Sequence, residues 1–277
     1  MGRFILSAFA DEYSPELDVQ LAMLCEHGFT HIEPRFLLGK NVSALTADEA
    51  RAVRNKLDAA GLSVSSIGSP LGKIKLSDDI AAHLELTRRV CETANILGTS
   101  CVRMFSFYPA EGTNIADCRD AVLGHLTAML DIAEEAGVTL CHENEADIYG
   151  ESPEACLDLL RALPRLRCVF DMGNFVLGGY DPTAAYKLLA PYIEYFHIKD
   201  ALYAGAIVPP GCGEAKIGEI VRDFAASRDV ILTLEPHLET FDGLNALTDR
   251  KFENPYKFES AEAAFVTAIN KLKDLIK

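Results

Sequence analysis

RFILSAFADEYSPELDVQLAMLCEHG, residues 3–28, holds an apolar run, a polar turn and an amphipathic stretch in that order. The run to Ala10 is far shorter than the roughly 20 apolar residues that cross a bilayer. Acidic Asp11 and Glu12 follow it at once, so it reads as a buried strand rather than a signal peptide. PELDVQLAMLCEHG opens on Pro15 and closes on Gly28, with apolar residues at helical spacing between them. The turn that joins the two, FADEYS, lacks the glycine fingerprint of a dinucleotide-binding strand-to-helix turn. The stretch is therefore a βα unit without a nucleotide cradle.

The same unit recurs along the chain. Strands are predicted at RFILSAFA (3–10), THIEPRF (30–36), LSVSSIGS (62–69), SCVRMFSF (100–107), GVTLCHE (137–143), RCVFDM (167–172), IEYFHIK (193–199) and VILTLE (230–235). Amphipathic helices lie between them. TADEARAVRNKLDAAG has Thr46 as N-cap and ends on Gly61, and the C-terminal ESAEAAFVTAINKLKDLIK follows the same rule. Strand starts fall roughly 27 to 38 residues apart, the size of a βα unit. Eight such units predict a single α/β domain over residues 1–277, a (β/α)8 TIM barrel.

Composition narrows the function classes. A formal charge of −15 argues against a nucleic-acid binder, because phosphate backbones reward basic surfaces. The eight cysteines form no CxxC pair, which in a chain of this length predicts reduced, mostly buried thiols and a cytoplasmic protein. No apolar run is long enough to span a membrane.

Parity then sorts the strand residues, because alternate side chains of a barrel strand face the interior and the helix layer. In VTLCHE the larger apolar pair Val138 and Leu140 belongs against the helices, and His142 goes with it. Glu143 points into the mouth, so the tempting Cys141-His142-Glu143 cluster falls apart. The last inward residues of the next three strands are Asp171, His197 and Glu235. Active sites of these barrels form at the C-terminal strand ends, where four such residues on consecutive strands converge. Three buried carboxylates repel one another, and a divalent cation removes that penalty. Three oxygens and one nitrogen without thiolate suit Mn²⁺, Mg²⁺ or Co²⁺, with Zn²⁺ also compatible.

HEN (142–144), FDMGN (170–174), HIKD (197–200), PPGCGE (209–214) and LTLEPH (232–237), in this order over essentially the whole chain, resemble the xylose isomerase-like sugar isomerase/epimerase superfamily. The resemblance implies one divalent metal held by Glu143, Asp171, His197 and Glu235, the four that parity selects. It also implies proton transfer next to the carbonyl of an open-chain sugar or sugar phosphate, with Glu143 and Glu235 as base and acid. Tyr203 stands where the ketose 3-epimerase branch carries an arginine, and Asn174 stands where it carries a histidine. Both departures argue against free-ketose 3-epimerisation. Only His197 and nearby His237 are placed to serve a trinuclear zinc site like that of the endonuclease IV branch, which argues against a nuclease.

Cations face this acidic cluster. Arg35, Lys73 and Arg103 are expected across the mouth from the metal ligands, with Lys199 joining them by parity. Such a group suits a phosphate or carboxylate. Glu145, Asn174 and His237 complete the expected substrate contacts. The segments 201–213 and 241–257 are expected to form loops over the site. Two other functions fit the same residues: an inosose dehydratase-like lyase, and a barrel that binds a ligand without catalysis.

Overall fold

The computed structural model describes residues 2–239 and 255–277, and they form a (β/α)8 barrel. The barrel strands are β1 (Phe4–Ala8), β2 (His31–Ile32), β3 in two pieces (Ser63–Val64 and Ile67–Gly68), β4 (Cys101–Met104), β5 (Thr139–Glu143), β6 (Arg167–Asp171), β7 (Ile193–Ile198) and β8 (Val230–Leu234). Parallel pairing runs without interruption from the second piece of β3 through β4, β5, β6, β7 and β8 to β1. The first piece of β3 pairs with β2, and the Glu33 amide donates to Ala8 O at 3.0 Å, which closes the ring.

Two predicted strands are shorter than expected, for identifiable reasons. THIEPRF is a strand only over His31–Ile32, because Pro34 has no N–H to continue the ladder. Phe36–Leu37 instead forms a small antiparallel hairpin with Lys40–Asn41. LSVSSIGS breaks where the strand changes partner from β2 to β4.

The helices α1 (Leu17–Glu26), α2 (Ala47–Ala60), α3 (Ile80–Leu97), α4 (Arg119–Glu135), α5 (Pro153–Ala162), α6 (Met172–Leu177), α7 (Pro182–Leu189), α8 (Ile217–Ala225) and α9 (Ala261–Leu275) surround the strands. The boundaries of α2 are set by chemistry the sequence shows. Thr46 and Glu49 form a reciprocal capping box, and Gly61 ends the helix at φ 70°, a left-handed conformation that favours glycine. No described helix is long and apolar enough to cross a membrane.

Two apolar layers result from the period of two. Val138, Leu140, Phe170, Phe196 and Leu232 join the large core between strands and helices. Cys141, Val169 and Tyr195 form a separate small cluster with Cys101 and Ile231, which fills the barrel interior. One step further along these strands, on the same inward face, come the polar residues of the mouth.

Candidate metal centre and active site

Two residues beyond that interior cluster, β4, β5, β6 and β7 carry Arg103, Glu143, Asp171 and His197, all buried. Glu235 follows β8 and is buried as well. His197 lies in register with Asp171 on one side and Thr233 on the other. The ligand atoms of Glu143, Asp171, His197 and Glu235 all lie within 4.8 Å of one another.

The HEN and FDMGN motifs act as a brace beneath this cluster. Asn144 donates through Nδ2 to Asp171 O (2.8 Å) and accepts from the Asp171 amide (3.0 Å), which locks β6 against β5. Asp171 also caps the short helix α6 by accepting from the Asn174 amide at 2.8 Å. Sequence reading missed this helix. Gly173 is there because a Cβ would lie 2.7 Å from Lys199 O. Asn174 in turn donates to Asn144 O and accepts from Lys199 Nζ, so it braces the site from the side.

His142 faces the helix layer, as parity predicts. Its Nε2 accepts from the Ser106 hydroxyl at 2.9 Å, while Ser106 accepts from the Gly150 amide. Burial lowers its pKa to about 4, so the ring is neutral and available as that acceptor.

The cations are more deeply committed than the sequence suggests. Arg35 is fully enclosed and donates to Asp11 Oδ2 (2.9 Å), Glu12 Oε1 (3.2 Å) and Glu235 Oε1 (2.8 Å). It therefore holds carboxylates in place rather than facing the mouth. Lys199 donates to Asp171 Oδ2 at 2.9 Å and stands 3.4 Å from Glu235 Oε2. Lys73 pairs with Glu145 at 3.2 Å and lies over the Phe105 ring. Arg103 donates through Nη1 to Glu143 Oε2 at 2.8 Å, while its buried Nε and Nη2 have no hydrogen-bond partner among the described residues. His237 approaches Glu12 and Glu235, and its amide donates to Glu12 Oε2.

The expected loop 201–213 is more ordered than its composition predicts. Asp200–Ala201 pairs with Ile207–Val208, and the Asp200 carboxylate accepts four backbone N–H groups, from Ala201, Gly211, Gly213 and Ala215. Of the expected loop 241–257, residues 241–254 lie outside the described residues.

Charge balance tests whether a cation fits. Among the described residues, seven buried carboxylates (Asp11, Glu12, Glu33, Glu143, Asp171, Asp200 and Glu235) lie at this end of the barrel with three buried permanent cations, Arg35, Arg103 and Lys199. The shortfall is visible in the acids themselves. Burial, reinforced by neighbouring carboxylates, pushes Asp171 up to about 7 and Glu12 up to about 8, against the pull of Lys199 and Arg35. Burial also acts on Glu143, but the charges of His197 and Arg103 outweigh it and hold this acid below the usual range. Glu235 is held low in the same way, chiefly by Lys199, His237 and His197. A hard divalent cation suits this oxygen-rich, electron-rich set.

Fold and site together define a TIM-barrel protein with a candidate mononuclear metal centre at the C-terminal strand ends. Residues 21–272 match the xylose isomerase-like TIM barrel family, and the chain belongs to it. Solved structures share the fold over nearly the whole chain. The probable 3-DHS dehydratase AsbF of Bacillus anthracis, involved in petrobactin synthesis, superposes with a TM-score of 0.74 at 18% identity, covering 99% of each chain. A D-allulose 3-epimerase from Methylomonas sp. reaches 0.74 at 16% identity, covering 100% of this chain and 99% of that one. A xylose isomerase-like TIM barrel protein from Mycobacterium smegmatis, in complex with magnesium, reaches 0.68 at 17%, covering 100% and 98%. The uncharacterized protein YihM of Escherichia coli K12 is 28% identical over 107 residues, 38% of this chain. That match spans 31% of the length of YihM.

Proposed function

We propose that this protein is a divalent-metal-dependent isomerase or epimerase that moves a proton next to the carbonyl of an open-chain sugar or sugar phosphate. One observation carries the reading. Glu143 Oε1 and Glu235 Oε2 converge on His197 Nδ1 at 3.0 and 3.2 Å, and an arginine backs each carboxylate.

Glu143, Asp171, His197 and Glu235 would hold the ion, which when bound supplies Lewis-acid polarisation of a carbonyl oxygen and so acidifies the neighbouring C–H. The protein's own groups then handle the proton. Arg103 and Arg35 fix the direction of Glu143 and Glu235. Nearby positive charge, from His197 and Arg103 on the one and from Lys199 and His197 on the other, keeps both ionised, so either can accept a proton from carbon. If the other carboxylate, after taking up a proton from solvent, delivers it to the opposite face, the result is epimerisation. Return to the adjacent carbon gives isomerisation. Among the described residues Arg103 Nε and Nη2 are donors without a partner, and Lys73, like Arg103, lies over the Phe105 ring. Both favour a substrate that carries a phosphate or carboxylate.

The test is elemental analysis of the purified protein beside Glu143→Gln and Glu235→Gln variants, followed by NMR of ketoses and their phosphates in D₂O. Near-stoichiometric Mn, Mg, Co or Zn in the parent, reduced in both variants, and deuterium incorporation without loss of water support the reading. Loss of water from the substrate would instead assign a dehydratase. A parent that takes up no ion after soaking in each would leave a non-catalytic binding barrel.

A further inference from the structure

Among the described residues, Glu33 finds its side-chain partners in Tyr195 and His197. It is fully buried at the end of β2, and among the described residues no lysine or arginine stands within ion-pair distance of it. An isolated buried carboxylate is costly to keep unless specific hydrogen bonds hold it. Glu33 has two such bonds. The Tyr195 hydroxyl donates to its Oε1 at 2.8 Å, and its two oxygens lie 3.3 and 3.2 Å from His197 Nε2.

Carboxylates can only accept, so the Nε2 proton lies between His197 and Glu33. At Nδ1, which faces Glu143 and Glu235, a bound cation would take the place of the ring's other proton. The ring is also held by packing. Phe9 meets it edge-on at 5.1 Å between centroids, and Tyr195 does so at 5.4 Å. Tyr195 and His197 are two residues apart on the inward face of β7, so one strand supplies both the ring and the group that steadies its partner.

We infer that Glu33, steadied by Tyr195, is a positioning residue that presents the Nδ1 lone pair of His197 to the metal centre. The inference rests on the proposed reading of His197 as a ligand. An outer carboxylate of this kind orients the imidazole and raises its basicity, and losing one costs about 10- to 100-fold in metal affinity.

The experiment compares the parent with Glu33→Gln, Glu33→Ala and Tyr195→Phe by Co²⁺ titration, read as the visible absorption of the bound ion, and by ¹⁵N-edited NMR of the imidazole N–H protons. Circular dichroism checks that each variant folds, and the near-isosteric Glu33→Gln keeps the test valid if Glu33→Ala does not. Expected are Co²⁺ affinities at least about 10-fold weaker in both Glu33 variants, with a smaller loss in Tyr195→Phe. A downfield, slowly exchanging His197 Nε2–H signal, present in the parent, is expected to vanish or move in both Glu33 variants. Co²⁺ affinity within about twofold of the parent in a folded Glu33→Gln overturns the inference, measured against that 10-fold scale. If the parent binds no Co²⁺, the metal reading fails by itself. The N–H signal still decides in that case: its survival in Glu33→Gln overturns the role of Glu33, and its loss upholds it.

Discussion

Arg35 Nη1 stands 2.8 Å from Glu235 Oε1, although 200 residues separate the two in sequence. The remaining guanidinium nitrogens serve Asp11 and Glu12, so one cation holds together β2, the turn after β1 and the end of β8. Removing it would strand three buried carboxylates. Arg35→Met is expected to lose about 3–5 kcal/mol, the usual cost of breaking a buried ion pair from one side. Arg35→Lys should recover less than half of this, because an ammonium cannot reproduce the fork. Urea unfolding checks both, and an Arg35→Met midpoint equal to the parent's would sink the idea.

His83 gives the stability a defined pH dependence. Its Nε2 accepts from the Gly72 amide at 2.8 Å, which requires a neutral ring. Burial, with His125 adding repulsion, lowers its pKa to about 4. Between that value and the ordinary histidine value of about 6.5, the unfolded chain binds the proton and the native state does not. Its contribution is therefore intact above about pH 6.5 and is lost as pH falls toward 4, by at most about 1.4 kcal/mol per unit. His83→Gln should flatten the fall in urea midpoint between pH 7 and 4.5. A variant with the parent's slope would show that His83 is not responsible.

Asp200 should control the order of the segment that follows His197 and Lys199. Oδ1 accepts from Ala201 and Ala215, and Oδ2 from Gly211 and Gly213. Asp200→Ala leaves four N–H groups without that acceptor, of which the Ala201 and Ala215 bonds are buried, and should cost about 2–6 kcal/mol at 1–3 kcal/mol for each of those two donors. New cleavage within 201–216 in limited proteolysis is the expected sign. Asp200→Asn keeps one acceptor oxygen and should lose roughly half as much. Resistance to protease in Asp200→Ala equal to the parent's would show that the carboxylate does not anchor the segment.

If the proposed metal reading holds, the ion should also stabilise the fold. At 100 times its dissociation constant a ligand specific to the native state adds about 2.7 kcal/mol. Thermal unfolding after chelation and after reloading with Mn²⁺, Mg²⁺ or Co²⁺ would read this as a rise in Tm. Glu143→Gln and Glu235→Gln should show a smaller rise. A parent whose Tm ignores every ion at millimolar concentration would count against the centre.

The sequence shows the barrel because its signals are local. Strand runs, capping residues and the recurrence of βα units each depend on neighbours a few positions away, as at Thr46, Glu49 and Gly61. The facing of the late strand residues is local too. A period of two puts Glu143 on the opposite side from His142 wherever the strand ends up. These properties belong to the chain itself and need no fold to be read.

The partnerships of the charged groups belong to the tertiary structure. Composition and parity place Arg35 and Lys199 near the mouth but cannot show that carboxylates enclose them, nor that Arg103 keeps two nitrogens without a partner among the described residues. Glu33 reads as a neighbour of Arg35 along one strand face, yet it meets His197 and Tyr195 from the far side of the barrel. α6 is equally hidden, because the short stretch after Asp171 has too few residues to show a period. Ion pairs and hydrogen bonds act over about 3 Å, and only closure of the ring brings side chains from β1, β2, β7 and β8 within that reach.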